Sequence, residues 1–186
     1  RSILKLRSEA QILLRFCGLE LEDLICLEEI DVKSLSCMGN LVSFILTDHN
    51  HCSRSISTLL PGGIPEAESK VEMILDHHKD MGAHSHLIAP LVRRIAFDAA
   101  MNKASAGSAC TLVAEYLQEL VSAEKIEVPP PGRGNEERDG EDSRAAIQDV
   151  SFLLRGAICI DTQNMDPRGV GTPRDDAALQ YLEMRV

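Results

Sequence analysis

The stretches LVSFILTDHN, Leu41–Asn50, and VEMILDHH, Val71–His78, decide how this chain folds. Each is an apolar run that ends on an acid followed by histidine: Asp48-His49-Asn50 in the first, Asp76-His77-His78 in the second. Leu41–Thr47 runs on without alternating, as expected of a strand whose two faces are covered in a parallel sheet. Open α/β sheets assemble their sites beyond the carboxyl ends of such strands, which is where these acids and imidazoles fall. Hard oxygen donors mixed with borderline nitrogen donors suit a catalytic divalent ion better than a structural one. All six histidines lie between His49 and His86, so this chemistry is concentrated in one stretch.

Outward from these strands, Arg1–Phe16 places Ile3, Leu6, Ala10, Leu13 and Leu14 at helical spacing, and Gly18 stops that helix. Leu24–Leu27 reads as a short strand, and His51–Lys70 as a connector through Pro61-Gly62-Gly63 that turns helical near Glu66 at most. Pro90 makes His84–Ala96 irregular or an edge strand. Gly107–Val121 is a helix with Ser108 as its cap and an apolar face of Leu112, Ala114, Leu117, Leu120 and Val121. Glu127–Ser143, with three consecutive prolines and a run of acids, reads as a disordered surface insertion able to bind a protein partner. Ala145–Ile160 is a further helix, and Thr172-Pro173 opens the last one, with Asp175 and Asp176 against its positive end. The expectation is one α/β domain over residues 1–186, a mostly parallel sheet flanked by helices.

The net charge of −10, from 29 acids against 19 Lys and Arg, disfavours nucleic acid as a partner, because phosphates need basic side chains. A polyanionic substrate is equally awkward unless metal ions reverse the local sign. Apolar content of 44% is ordinary for a globular chain of this length, and no run of 18 apolar residues signals a membrane span. The six cysteines include no C-x-x-C pair, which reads as a reduced, cytoplasmic setting.

Asp48 or Asp76 alone can be a simple turn starter after a strand, the less favoured of its two readings; two such acids, each followed by histidine, point to a site. Adjacent His77 and His78 aim in different directions, so one imidazole can bind metal while the other meets substrate. The neighbouring acid can accept the second ring proton and fix the tautomer. Asp161 continues the stripe Ile147, Val150, Leu154, Ile158, and a carboxylate on a buried stripe must be paired or metal-bound. The bland alternative ends the helix at Cys159 or Ile160 and leaves Asp161 in solvent. Ser108 and Thr111, at a helix start of small and hydroxyl residues, are weak candidates for holding a phosphate oxygen. Arg93, Arg94, Arg168 and Arg174 are readable as phosphate contacts, but such residues are more often solvated surface.

Asp48-His49-Asn50, Asp76-His77-His78, Gly107–Thr111, Leu154–Thr162 and Gly171–Asp175, with the Asp-Thr-x-Asn-Met element Asp161–Met165, occur in this order. Together they resemble the DHH phosphoesterase superfamily, and most of all its eukaryotic exopolyphosphatase and prune branch. The resemblance runs along nearly the whole chain outside Glu127–Ser143. It implies two divalent ions, Mn2+ or Mg2+ with Co2+ possible, held by Asp48, His77 and Asp161, with Asp48 bridging both. His78 would touch the scissile phosphate with Asp76 beside it, and His49 and Asn50 would support the ligands. The implied reaction is removal of terminal phosphate from inorganic polyphosphate, two ions roughly 3.5–4 Å apart clamping the attacking and leaving oxygens. Alternatives within the superfamily are a manganese-dependent inorganic pyrophosphatase and a nucleotide phosphodiesterase; outside catalysis, a prune-like interaction protein. The family's acid-rich first motif and its carboxyl-terminal associated domain have no counterpart here. The resemblance therefore reads these residues as a DHH domain incomplete at both ends, expected to bind metal weakly and hydrolyse little by itself.

Overall fold

The structure, a computed structural model, describes residues 7–26, 29–30, 43–52, 63, 69–87, 93–123 and 138–185, with backbone alone for 138–145. The fold is mixed α/β and divides into two compact units, Leu24–Ser105 and Arg1–Asp23 joined with Ala106–Val186.

The first of these units holds a three-stranded sheet of β1 (Phe44–Thr47), β2 (Val71–Asp76) and β3 (Arg93–Ile95) in that order, all parallel. Central β2 buries every residue except Glu72, the near-continuous burial of a strand covered on both faces. Leu46, Cys52, Val71 and Ile74 form the core, with Phe44, Leu87 and Ile95 packed against them. Because β1 and β2 are parallel and adjacent, their carboxyl ends meet at one edge, and the two acid–histidine corners lie there side by side. β1 differs from the expected two-sided burial: it alternates, with Leu46 buried and Ile45 64% exposed. β3 is an edge strand of the described sheet, one of the two readings the sequence left open. A small antiparallel pair follows, β4 (Phe97–Asp98) with β5 (Lys103–Ala104).

The other unit is helical: α1 (Ser8–Phe16), α2 (Ala109–Ser122), α3 (Arg138–Asp161) and α4 (Pro173–Glu183). Ala114, Ile158, Ala178, Tyr181 and Leu182 form its core. Ser108 caps α2 by accepting from the Cys110 N–H, and Thr172 with Asp175 makes a capping box at α4, as their sequence signatures predict. Asp175 does more than complement a helix end. It is fully buried and accepts from the Gly107 N–H, the Thr111 hydroxyl, and the Thr172 N–H and hydroxyl, tying the start of α4 to the start of α2.

A Cβ on Gly107 would sit 2.9 Å from Thr162 Cγ2 and from the Val170 carbonyl oxygen, and 3.0 Å from the Asp175 carboxylate. Two of these neighbours are held in the same packed corner, so they have little room to yield. Gly107→Ala is expected to lose about 1–3 kcal/mol of stability, read as a lower urea midpoint at unchanged slope.

Two expectations need correction. Leu24–Cys26 forms a bend and irregular chain, not a strand; Ile25 there is 82% exposed, so the apolar run has nothing to bury against. The helix expected from Ala145 begins at Arg138, so the backbone of 138–143 is helical; residues 127–137 of the expected insertion lie outside the described residues. The amino-terminal helix is described from Ser8, and Arg1–Leu6, Leu35–Asn40 and most of the 51–70 connector also fall outside. Among the described residues, no helix is long and apolar enough to cross a membrane.

Candidate metal centre

At the end of β1 the chain turns sharply. Asp48 still donates its N–H to the Leu75 carbonyl (3.0 Å), but its φ is +61°, in the left-handed region. Aspartate tolerates this conformation better than most residues, at a cost of about 1–2 kcal/mol. Such strain persists where the surroundings hold it, and sites are where it concentrates.

Buried Asn50 supplies the hold. Its amide donates to Asp76 Oδ2 and to the Lys79 carbonyl oxygen (3.0 Å), and its Oδ1 accepts the Met81 N–H (2.9 Å). One side chain thus laces the loop after β1 to the loop after β2. Asn50→Ala leaves the Met81 N–H and an Asp76 oxygen without this partner, so it is expected to lower stability by about 1–3 kcal/mol in chemical denaturation.

Asp76 is fully buried, and burial raises its pKa; hydrogen bonds from the His78 ring, the His78 N–H and the Asn50 amide outweigh this and hold it below the usual carboxylate value. The reciprocal bond, His78 Nδ1 to Asp76 Oδ1 at 2.9 Å, raises the His78 pKa against the opposing effect of desolvation. With Asp76 ionised, the shared proton sits on Nδ1, and the outer nitrogen, Nε2, is left for a ligand.

Asp48 Oδ1 lies 3.2 Å from His77 Nε2 and 3.6 Å from His78 Nδ1, and the two imidazoles meet edge to face with centroids 4.5 Å apart. One ligand atom from each of Asp48, His77 and His78 falls within 4.8 Å of the others. One carboxylate and two imidazoles at this spacing fit a divalent first-row ion, whose bonds to such donors are about 2.0–2.2 Å long, after small side-chain rotations. Asp48 and His78 remain more than half exposed, at 56% and 60%, which leaves open coordination positions for water or substrate. Beside the donors is a cavity of about 360 Å³ whose lining includes Asp48, His49, His51, His78 and Lys79.

No protein-family model matches the chain, and comparison with curated proteins finds no significant match. The site therefore rests on its own geometry.

Five of the residues singled out in the sequence, Asp48, Asn50, Asp76, His77 and His78, come together here, and His49 lines the cavity. The remaining three belong to the helical unit. Asp161 is the last residue of α3, exposed overall, and its Oδ2 accepts the Ser108 hydroxyl at 2.6 Å. Thr111 gives its hydroxyl to Asp175. Ser108 and Thr111 are fully buried and give their hydroxyls to carboxylates. Sequence reasoning passed over His51 and Lys79, although each stands directly after one of the two acid–histidine triplets and so must share their corner.

Proposed function

We propose that the chain carries the metal centre of a phosphohydrolase, with terminal phosphate of inorganic polyphosphate as its substrate. The observation behind this reading is the cluster of Asp48, His77 and His78 donors at the carboxyl ends of two adjacent parallel strands. The likeness to DHH phosphoesterases assigns Asp48, His77 and Asp161 to the metal ions and His78 to the phosphate. The ions would supply Lewis acidity, polarising phosphoryl oxygens and acidifying water.

The protein side chains have separate tasks. Asp76 holds His78 through Nδ1, so Nε2 is presented to a phosphoryl oxygen and can donate to it when the ring is protonated. The raised His78 pKa widens the pH range over which that charge is available. Asn50 fixes Asp76 and both loops, so this presentation is set before substrate arrives. In phosphoryl transfer such positioning and charge neutralisation are most of what catalysis requires.

The full-length protein with Mn2+ is expected to release phosphate from tripolyphosphate, to stop in excess EDTA, and to recover when Mn2+ is restored. Absence of release by the wild-type protein under these conditions overturns the proposal. Relative rates on pyrophosphate, tripolyphosphate and a cyclic nucleotide assign the substrate class.

A further inference from the structure

We infer that His49, His51 and Lys79 form an anion-binding rim beside the metal centre, a subsite for a second phosphoryl group of a condensed phosphate. The inference rests on the phosphohydrolase reading for its substrate, and on the cavity for its place. All three residues are exposed and line the same cavity of about 360 Å³ as Asp48 and His78. A volume within the roughly 300–1,000 Å³ of small-ligand sites leaves space beyond one phosphoryl group at the metal donors.

The rim is held from beneath. Asn50 stands between His49 and His51 in the chain, and its buried amide donates to the Lys79 carbonyl oxygen (3.0 Å) while its Oδ1 accepts the Met81 N–H. His49 and His51 lie on either side of this anchor with their rings near-parallel, 25° apart and 6.5 Å between centroids. The backbone of both loops is therefore set, and the side chains that remain exposed are the basic ones.

Charge points the same way. Among the described residues Lys79 enters no ion pair, although the molecule is acidic overall. Its neighbour Asp80 is already neutralised by Arg93 (2.7 Å) and accepts the Gly82 N–H, so it does not compete for the Lys79 ammonium. Asp76 is buried and engaged by His78 and Asn50, and Asp48 Oδ1 lies 3.2 Å from His77 Nε2. An ammonium and two imidazoles converging on a cavity, with the nearby acids otherwise committed, suit a compact polyanion better than a neutral ligand.

The test is run on the full-length protein in EDTA, so that neither metal nor hydrolysis contributes. Orthophosphate and tripolyphosphate are titrated while the His49 and His51 ring signals are followed by NMR. Wild type is expected to bind tripolyphosphate more tightly than orthophosphate, with both rings shifting. Lys79→Ala is expected to weaken tripolyphosphate binding about fivefold and orthophosphate binding less than about twofold, and Lys79→Arg to restore the wild-type value. Equal affinity of wild type and Lys79→Ala for tripolyphosphate, an equal loss on both probes, or no binding by wild type each overturns the rim. The phosphohydrolase reading fails separately: Lys79-dependent binding without phosphate release in Mn2+ removes the enzyme and leaves the rim. Release with Lys79-independent binding does the reverse.

Discussion

An Asp48→Asn protein is expected to melt within about 0.5 kcal/mol of wild type while releasing phosphate from tripolyphosphate about 10³-fold more slowly. Asparagine is the informative replacement because it accepts the +61° φ of this position about as readily as aspartate does, whereas alanine would add backbone strain to the loss of charge. The N–H to Leu75 and the strand it closes are untouched. What disappears is the carboxylate charge 3.2 Å from His77 Nε2, leaving a neutral amide beside that imidazole where the proposed dication would be held. Affinity for Mn2+ should fall at least about tenfold, which calorimetry reads directly. Wild-type rates in this variant would show that Asp48 is a turn residue and nothing more.

Much of the sheet and the site was legible because local chemistry wrote it. Val71–Asp76 is an apolar run with an acid at its end, and its burial is that of a central strand. Ser108, Thr172, Pro173 and Asp175 are capping residues whose preferences act within four positions, and both helices start where they stand. The hidden parts depend on distance or on elements too short to carry a period. β4 and β5 have two residues each, and no alternation can be seen in two. Leu24–Leu27 had the composition of a strand, but the structure gives a 3-10 turn at Leu21–Asp23 in which Asp23 accepts the Glu20 N–H, and Ile25 points to water. The acidic start of α3 was read from composition as an insertion, since a charged run without an apolar stripe gives periodicity nothing to report. Within the site the two triplets announced Asp48, Asp76, His77 and His78. The strut role of Asn50 became visible only once Lys79 and Met81, about thirty residues away, were seen on its amide.

Asp175 is the sharpest case of long-range meaning, and Asp175→Ala is expected to cost about 3–5 kcal/mol. Its role as a helix-end acid is worth about 2 kcal/mol at most. The rest comes from its partners 64 and 68 residues earlier: the Thr111 hydroxyl, and the Gly107 N–H at 2.8 Å and 3.0 Å from its two oxygens. Removing the carboxylate takes the acceptor from the buried Gly107 N–H and Thr111 hydroxyl, and from the half-buried Thr172 N–H and hydroxyl. Burial raises the Asp175 pKa, but these hydrogen bonds outweigh it, so the folded-state value lies below the unfolded one. The sign follows: the carboxylate stabilises the fold fully above about pH 4, and the contribution is lost as pH falls through the lower folded-state value. Urea midpoints of wild type and Asp175→Ala should therefore stand far apart at neutral pH and converge on acidification below about pH 4. A gap that stays constant through that window would mean that shape, not charge, is what Asp175 contributes. A loss below about 1 kcal/mol at neutral pH would mean that its donors find other acceptors.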